Sequence, residues 1–206
     1  MKREMDVILT RRGFLVASLI VSEWLVHGAV RASDAVTAAA AQEPTPACAD
    51  KDDLTPPQTA GPFYKPRSPM RKSLLEPGMQ GTRIMLEGRI RSTRCKPLPG
   101  ALVDFWQADG NGVYDNTGFR LRGHQFADAA GHYRLETVVP GVYPGRTRHF
   151  HVRVQAPNRP ALTTQLYFPG EPENKRDFIF NPKLVIALRA TSGAQAANFD
   201  FVLDIG

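Results

Sequence analysis

Between Arg83 and Ile205 the chain breaks into short runs in which apolar and polar residues alternate, each closed by glycine, proline, asparagine or aspartate. A period of two places successive side chains on opposite faces of a strand, and the turn residues mark where each strand stops. The pattern predicts strands over 83–90, 101–108, 132–138, 149–156, 163–168, 184–189 and 198–205. The clearest is 149–156. There His149, His151, Arg153 and Gln155 fall on one face, and Phe150, Val152, Val154 and Ala156 on the other. No long amphipathic helix is predicted after the N-terminal segment. About seven or eight short strands at regular spacing predict an all-β chain, a single-domain antiparallel β-sandwich.

Upstream the pattern changes twice. Thr55-Pro56-Pro57-Gln58-Thr59-Ala60-Gly61-Pro62-Phe63-Tyr64 predicts an extended arm, because its prolines exclude regular helix. Residues 33–54, rich in Ala, Thr, Pro and Asp without hydrophobic period, predict a flexible linker. Residues 1–32 run from a charged start through Arg11-Arg12-Gly13-Phe14-Leu15 and a short apolar stretch broken by Glu23 to small residues ending at Ala32. That order predicts an export signal of the twin-arginine type rather than a membrane span. The expected division is therefore signal 1–32, linker 33–54 and β-sandwich domain 55–206. The mature part is expected in the periplasm or outside the cell, with no membrane anchor once the signal is removed.

Charge and cysteine content refine this picture. The formal net charge is +6. Residues 1–32 hold five basic and three acidic side chains, so the remainder carries +4 and no block of consecutive basic residues. Nucleic-acid binding has little support on that ground. The two cysteines, Cys48 and Cys95, are a disulfide candidate in an oxidising compartment, the alternative being two unrelated small buried residues.

Candidate chemistry centres on His149-Phe150-His151, whose spacing of two puts both imidazoles on one strand face within reach of one metal. Alone, such a pair also describes two polar residues on a solvated face. Tyr143 stands in a Pro-Gly-x-Tyr-Pro turn six residues earlier, and Tyr114 follows the turn Asp109-Gly110-Asn111-Gly112. Tyrosines at turns are either presented to a site or packed against prolines as caps. Of the other histidines, His124 is expected in a loop and His132 on a polar outer face with Arg134 and Glu136.

Several blocks in order carry a resemblance. They are Thr55–Pro62, then Pro99-Gly100-Ala101 running to Trp106-Gln107-Ala108-Asp109-Gly110-Asn111-Gly112-Val113-Tyr114, then Arg122-Gly123 and Gly131-His132-Tyr133. Pro140-Gly141-Val142-Tyr143-Pro144, Arg146-Thr147-Arg148-His149-Phe150-His151 and Thr164-Gln165-Leu166-Tyr167-Phe168 complete them. Together they resemble the intradiol ring-cleavage dioxygenases, the protocatechuate and catechol dioxygenases among them. The resemblance implies one ferric ion, Fe(III), held by Tyr114, Tyr143, His149 and His151. It implies that Arg146 steadies charge on the substrate ring, that Gln165 lies near the substrate, and that Tyr143 is the ligand displaced when substrate binds. The implied partners are a small aromatic diol and O2, with opening of the ring between its two hydroxyl-bearing carbons to a muconate-type diacid. A homo-oligomer is compatible with it.

Ligand chemistry agrees with that set. Phenolate is a hard anionic donor suited to Fe(III), and a phenol with a pKa of about 10 ionises at neutral pH only beside a strong Lewis acid. The segment Pro144-Gly145-Arg146-Thr147-Arg148 is compact, with Gly145 where family members often carry tryptophan, which implies a more open site. Arg120, Arg122 and Arg148 are candidates for holding a substrate carboxylate. Two other readings compete: a sandwich that binds aromatic or carbohydrate ligands without chemistry, and an Fe(II) or copper enzyme using the histidine pair alone.

Overall fold

The computed structural model describes residues 54–191 and 194–205. The expected signal, most of the linker and Cys48 lie outside the described residues. The described strands are β1 (Arg83–Ser92), β2 (Leu102–Trp106), β3 (Arg122–Phe126), β4 (His132–Val138), β5 (His149–Gln155), β6 (Leu162–Tyr167), β7 (Ala187–Thr191), β8 (Ala194–Asn198) and β9 (Phe201–Leu203). Two sheets face each other. One has the order β4-β1-β8-β7, with β9 pairing further along β1; the other has the order β3-β2-β5-β6. Helical structure among the described residues is limited to 3-10 turns at Pro172–Lys175 and Pro182–Leu184.

Alternation drives the layering. In β1 the residues Ile84, Leu86 and Ile90 point inward and are buried. Val103 and Phe105 of β2, with Phe150, Val152 and Val154 of β5, supply the facing layer of one continuous apolar core. Burial of such side chains contributes about 1.5–3 kcal/mol each relative to exposure.

Several features depart from the sequence pattern. First, β1 pairs in parallel with β8 and β9, so the first sheet is mixed. Second, the run expected as a strand from Leu184 begins as a 3-10 turn. Pro182 sets its backbone, and the Asn181 side chain accepts from Lys183 N at 3.0 Å, so after an isolated bridge of Val185 to Tyr167 the strand itself starts only at Ala187. Third, the run 198–205 is interrupted before β9, where Asp200 Oδ1 accepts from Arg89 N at 2.8 Å and takes the place of a backbone partner. Strands β3 and β8 were not expected. His124 is therefore on a strand, its ring nitrogen Nδ1 2.7 Å from the Ser68 carbonyl, rather than in a loop.

Much of the outer face of the second sheet is covered. Residues 55–71 run across it as the extended arm. Gln58 N donates to Thr163 O at 2.8 Å, and Thr164 Oγ1 donates to Pro56 O at 2.7 Å. Further on, Arg71 N donates to His124 O at 2.9 Å and His124 N to Pro69 O at 3.0 Å. Beneath it Ser68 Oγ donates to Asp104 Oδ1 at 2.7 Å, which satisfies a buried carboxylate whose pKa burial raises. Cys95 is disulfide-bonded; Cys48, its expected partner, lies outside the described residues.

Phe150 is fully buried and packs its ring 5.2 Å from that of Phe168. Phe150→Ala is expected to cost about 3–5 kcal/mol, measured by urea unfolding of the otherwise intact protein.

Candidate active site

The register of the second sheet builds the site. Across it Arg122 of β3 pairs with Trp106 of β2, Trp106 with His151 of β5, and His151 with Gln165 of β6. Directly paired residues point to the same face, so the four side chains form one row on the face beneath the arm. One level along, His149 pairs with Tyr167. All six are buried.

Within the row each ring is held. Trp106 lies parallel to His151, with centroids 5.0 Å apart and an interplanar angle of 4°. His149 Nδ1 is 2.6 Å from the Thr147 carbonyl; a proton on Nδ1 donated there leaves the Nε2 lone pair facing the site. His149 Nε2 and His151 Nε2 are 3.1 Å apart, and Tyr114 Oη is 3.4 Å from His149 Nε2. Burial drives His149 down to about 4 and His151 well below the ordinary imidazole range, so both are neutral donors at pH 7.

The two tyrosines arrive on loops rather than strands. Asp109 organises both loops. Its side chain accepts from Asn111 N at 2.9 Å and Val113 N at 3.0 Å, while its carbonyl accepts from Gly141 N at 2.7 Å. A Cβ on Gly112, where φ is +83°, would fall 2.2 Å from the Val142 carbonyl oxygen, and one on Gly141 would fall 2.3 Å from Gly112 N. The loops thus touch backbone to backbone, which only glycine permits. The result sets the rings of Tyr114 and Tyr143 edge to face, 6.0 Å apart. Phe63 from the arm stacks on Tyr114 at 4.2 Å and meets Tyr143 edge-on at 5.5 Å. Tyr114 is buried and Tyr143 half-buried. Burial pushes the Tyr114 phenol well above its ordinary value, against the pull of Arg146 and then Arg122.

This arrangement fits a metal ion. Two donors each about 2.1 Å from one ion and at right angles are about 3.0 Å apart, close to the separations here. Two neutral imidazole nitrogens and a phenol oxygen converge in one buried space, a donor set that a cation would bring together. Among the described residues no group of three or more His, Cys, Asp or Glu side chains is placed to hold a metal, so an ion here draws on phenol oxygen. Neutral Tyr114 becomes a phenolate only when a strong Lewis acid takes its oxygen.

Arg146 and Gln165, named from sequence, are in contact. Arg146 Nη2 donates to Gln165 Oε1 at 2.6 Å, and Gln165 Nε2 donates to Thr59 O at 2.9 Å. Sequence reasoning missed Asp177, Trp106 and Phe63 as parts of this site. Asp177 Oδ2 accepts from Arg146 Nε at 2.9 Å, yet no spacing signal connects residues 31 apart. Trp106 was legible as one position of a matching block, without a role. Of the candidate arginines for a substrate carboxylate, Arg122 is buried and donates to the Phe63 and Asp115 carbonyls. Arg148 is paired with Glu171 at 3.0 Å and Arg120 with Asp109 at 3.7 Å. Arg122 is thus a support under the Tyr114 loop rather than a substrate contact.

Gly112→Ala is expected to separate the tyrosine loops. It combines the disfavoured φ, costing about 1–3 kcal/mol, with a collision at Val142 O. The expected outcome is a lowered Tm together with loss of metal binding at equal protein concentration, read by thermal unfolding and metal analysis.

The dioxygenase family model matches residues 59–205. The chain is 31% identical over 153 residues to catechol 1,2-dioxygenase of Pseudomonas sp. (strain EST1001), covering 61% of this chain and 51% of that protein. It is 34% identical over 118 residues to the protocatechuate 3,4-dioxygenase beta chain of Burkholderia cepacia, covering 48% and 50%. The chain thus spans about half the length of these curated relatives. Among solved structures, the dioxygenase domain of a dioxygenase carbohydrate-binding protein fusion from the cellulolytic bacterium Streptomyces sp. SirexAA-E is 53% identical, with a TM-score of 0.73, over 75% of this chain and 100% of that one. The intradiol ring-cleavage dioxygenase from Tetranychus urticae is 26% identical with a TM-score of 0.67, over 73% and 94%. With two imidazoles and two phenols gathered on one sheet face and the match running through every element that carries them, the chain belongs to the intradiol dioxygenase family.

Proposed function

We propose that the chain is an Fe(III) intradiol dioxygenase that opens catechol-type rings between the two hydroxyl-bearing carbons with O2, giving muconate-type diacids. The observation that carries this reading is the convergence of His149 Nε2, His151 Nε2 and Tyr114 Oη within 3.1–3.4 Å in a buried space. Tyr114, Tyr143, His149 and His151 are the residues that would hold the ion. When bound, ferric iron supplies the Lewis acidity that holds both catechol oxygens and draws electron density from the ring, so that the ring reacts with O2. Fe(III) is favoured over zinc or copper because phenolate is a hard donor.

The protein's own groups have separable tasks. Tyr114, buried and stacked on Phe63, stays in place as substrate enters. Tyr143, half-buried on the neighbouring loop, would as a phenolate held by the ion be the group suited to take a catechol proton at Oη, becoming a neutral phenol. Arg146 presents a fixed positive charge beside the ring and favours the state in which negative charge develops there. Phe63, Trp106 and the arm exclude water from the rear of the site. Residues 1–32 are read as a twin-arginine export signal, so the enzyme acts in the periplasm or outside the cell. Cell fractionation checks this, because R11K/R12K is expected to hold the protein in the cytoplasm.

The visible spectrum of the iron-loaded protein tests the chemistry. A broad tyrosinate-to-iron band that moves to longer wavelength on adding catechol is expected, with Tyr114→Phe losing much of it. A protein that stays colourless after ferric loading overturns the reading and leaves a non-catalytic binding module in its place. Arg146→Ala is expected to lower kcat on catechol by about 100-fold, the size of a lost transition-state charge contact.

A further inference from the structure

Arg146 is held at two of its three nitrogens. Nη2 donates to Gln165 Oε1 at 2.6 Å and Nε to Asp177 Oδ2 at 2.9 Å. Nη1 takes part in neither of these bonds and, although the guanidinium also meets the Tyr167 hydroxyl, it is the nitrogen left to face a substrate. Gln165 is itself oriented, since its amide nitrogen donates to Thr59 O at 2.9 Å and its oxygen is thereby turned to Arg146. The opposite anchor is less ordinary. The Asp177 side chain is 0% exposed, and Oδ2 also accepts from Thr147 N at 3.0 Å, while Oδ1 accepts from Ile179 N at 3.1 Å. One oxygen therefore grips both the side chain of Arg146 and the backbone of the next residue, two positions before the metal-site residue His149.

The segment that supplies Asp177 is short and has little hold of its own. The 3-10 turn Pro172–Lys175 buries no residue. It is tied down instead by polar contacts. Thr147 Oγ1 donates to Asn174 Oδ1 at 2.7 Å, Asn174 Nδ2 donates to Phe168 O at 2.9 Å, and Gln58 Nε2 donates to Ile179 O at 2.9 Å. A buried carboxylate is costly unless a cation and several N–H groups meet it. Here the cation is Arg146, whose own side chain is 14% exposed.

We propose that Asp177 is a positioning residue of the active site, acting through Arg146. Its carboxylate locks the guanidinium in the orientation that presents Nη1 to the ring of the bound aromatic diol. This rests on the dioxygenase reading above and adds to it a residue with no contact to the metal or the substrate. A loosely held arginine would spend much of its time turned away, and the charge contact would be lost from the transition state rather than from binding.

The test is a double-mutant cycle on the iron-loaded protein with D177N, R146A and the pair. Asparagine keeps the shape and one acceptor while removing the charge. Two readouts are taken: kcat and KM on catechol, and the Kd of 4-nitrocatechol followed by visible absorbance. D177N is expected to lower kcat by about 10-fold or more, with KM changed less than about threefold. In the R146A background the same change is expected to cost less than about twofold in either readout, since the two residues act as one unit. An equal loss in both backgrounds, or a loss confined to Tm, overturns the proposal while leaving the dioxygenase reading intact. Wild-type protein that binds no 4-nitrocatechol overturns that reading and the proposal with it. If D177N does not fold, N174A replaces it. That variant loosens the segment carrying Asp177 without touching the carboxylate, and its loss of kcat is expected to vanish in the R146A background.

Discussion

The registration of four strands is the constraint on which the site depends. Because Arg122, Trp106, His151 and Gln165 occupy one row across β3, β2, β5 and β6, their side chains stand side by side. A slip of one residue in any pair would send a member to the opposite face, into the apolar core. Phe150 and Val152 prevent that slip, because each is fully buried on the core side of the strand that carries the histidines. Core packing and site geometry are therefore the same constraint seen from two faces of one sheet.

Such a row brings polar groups out of water, and the structure meets part of the cost with hydrogen bonds and with the arm, while Trp106 Nε1, Arg122 Nε and His151 Nδ1 stay buried without a hydrogen-bond partner among the described residues. Thr59, Gln58 and Pro56 accept or donate to β6 and its neighbours, and Phe63 closes over Tyr114. Desolvation then sets the protonation of the donors. It keeps the imidazoles neutral and Tyr114 protonated until a cation arrives. The same burial that disfavours a lone charge on these donors would strengthen their attraction for a highly charged ion, since low polarity strengthens the attraction between ion and phenolate.

Loop geometry adds what a sheet cannot. Strands place donors in rows, whereas an ion needs donors from several directions. The backbone contact between Gly112 and Val142, ordered by Asp109, brings two phenols towards the row from another direction. Arg146 comes from the same loop as Tyr143, where its backbone N–H closes a turn on the Tyr143 carbonyl at 2.9 Å, and a third segment grips it through Asp177. Sheet, paired loops and the 172–180 segment thus each contribute one kind of precision.

Local alternation in the sequence determined most strands, the shared face of His149 and His151, and the placing of Tyr114 and Tyr143 at turns. These depend on residues a few positions apart, where periodicity and turn chemistry act directly. Strand β3 escaped because its core-side positions, Gly123 and Gln125, are not apolar, so it shows no apolar–polar alternation. Strand β8 escaped because its alanines offer little contrast between faces. The parallel pairing of β1 with β8 and β9, the stacking of Trp106 on His151 and the grip of Asp177 on Arg146 join residues far apart in the chain. Only the tertiary structure decided them, since such contacts follow from which surfaces meet when the sheets close and leave no period in the sequence to read.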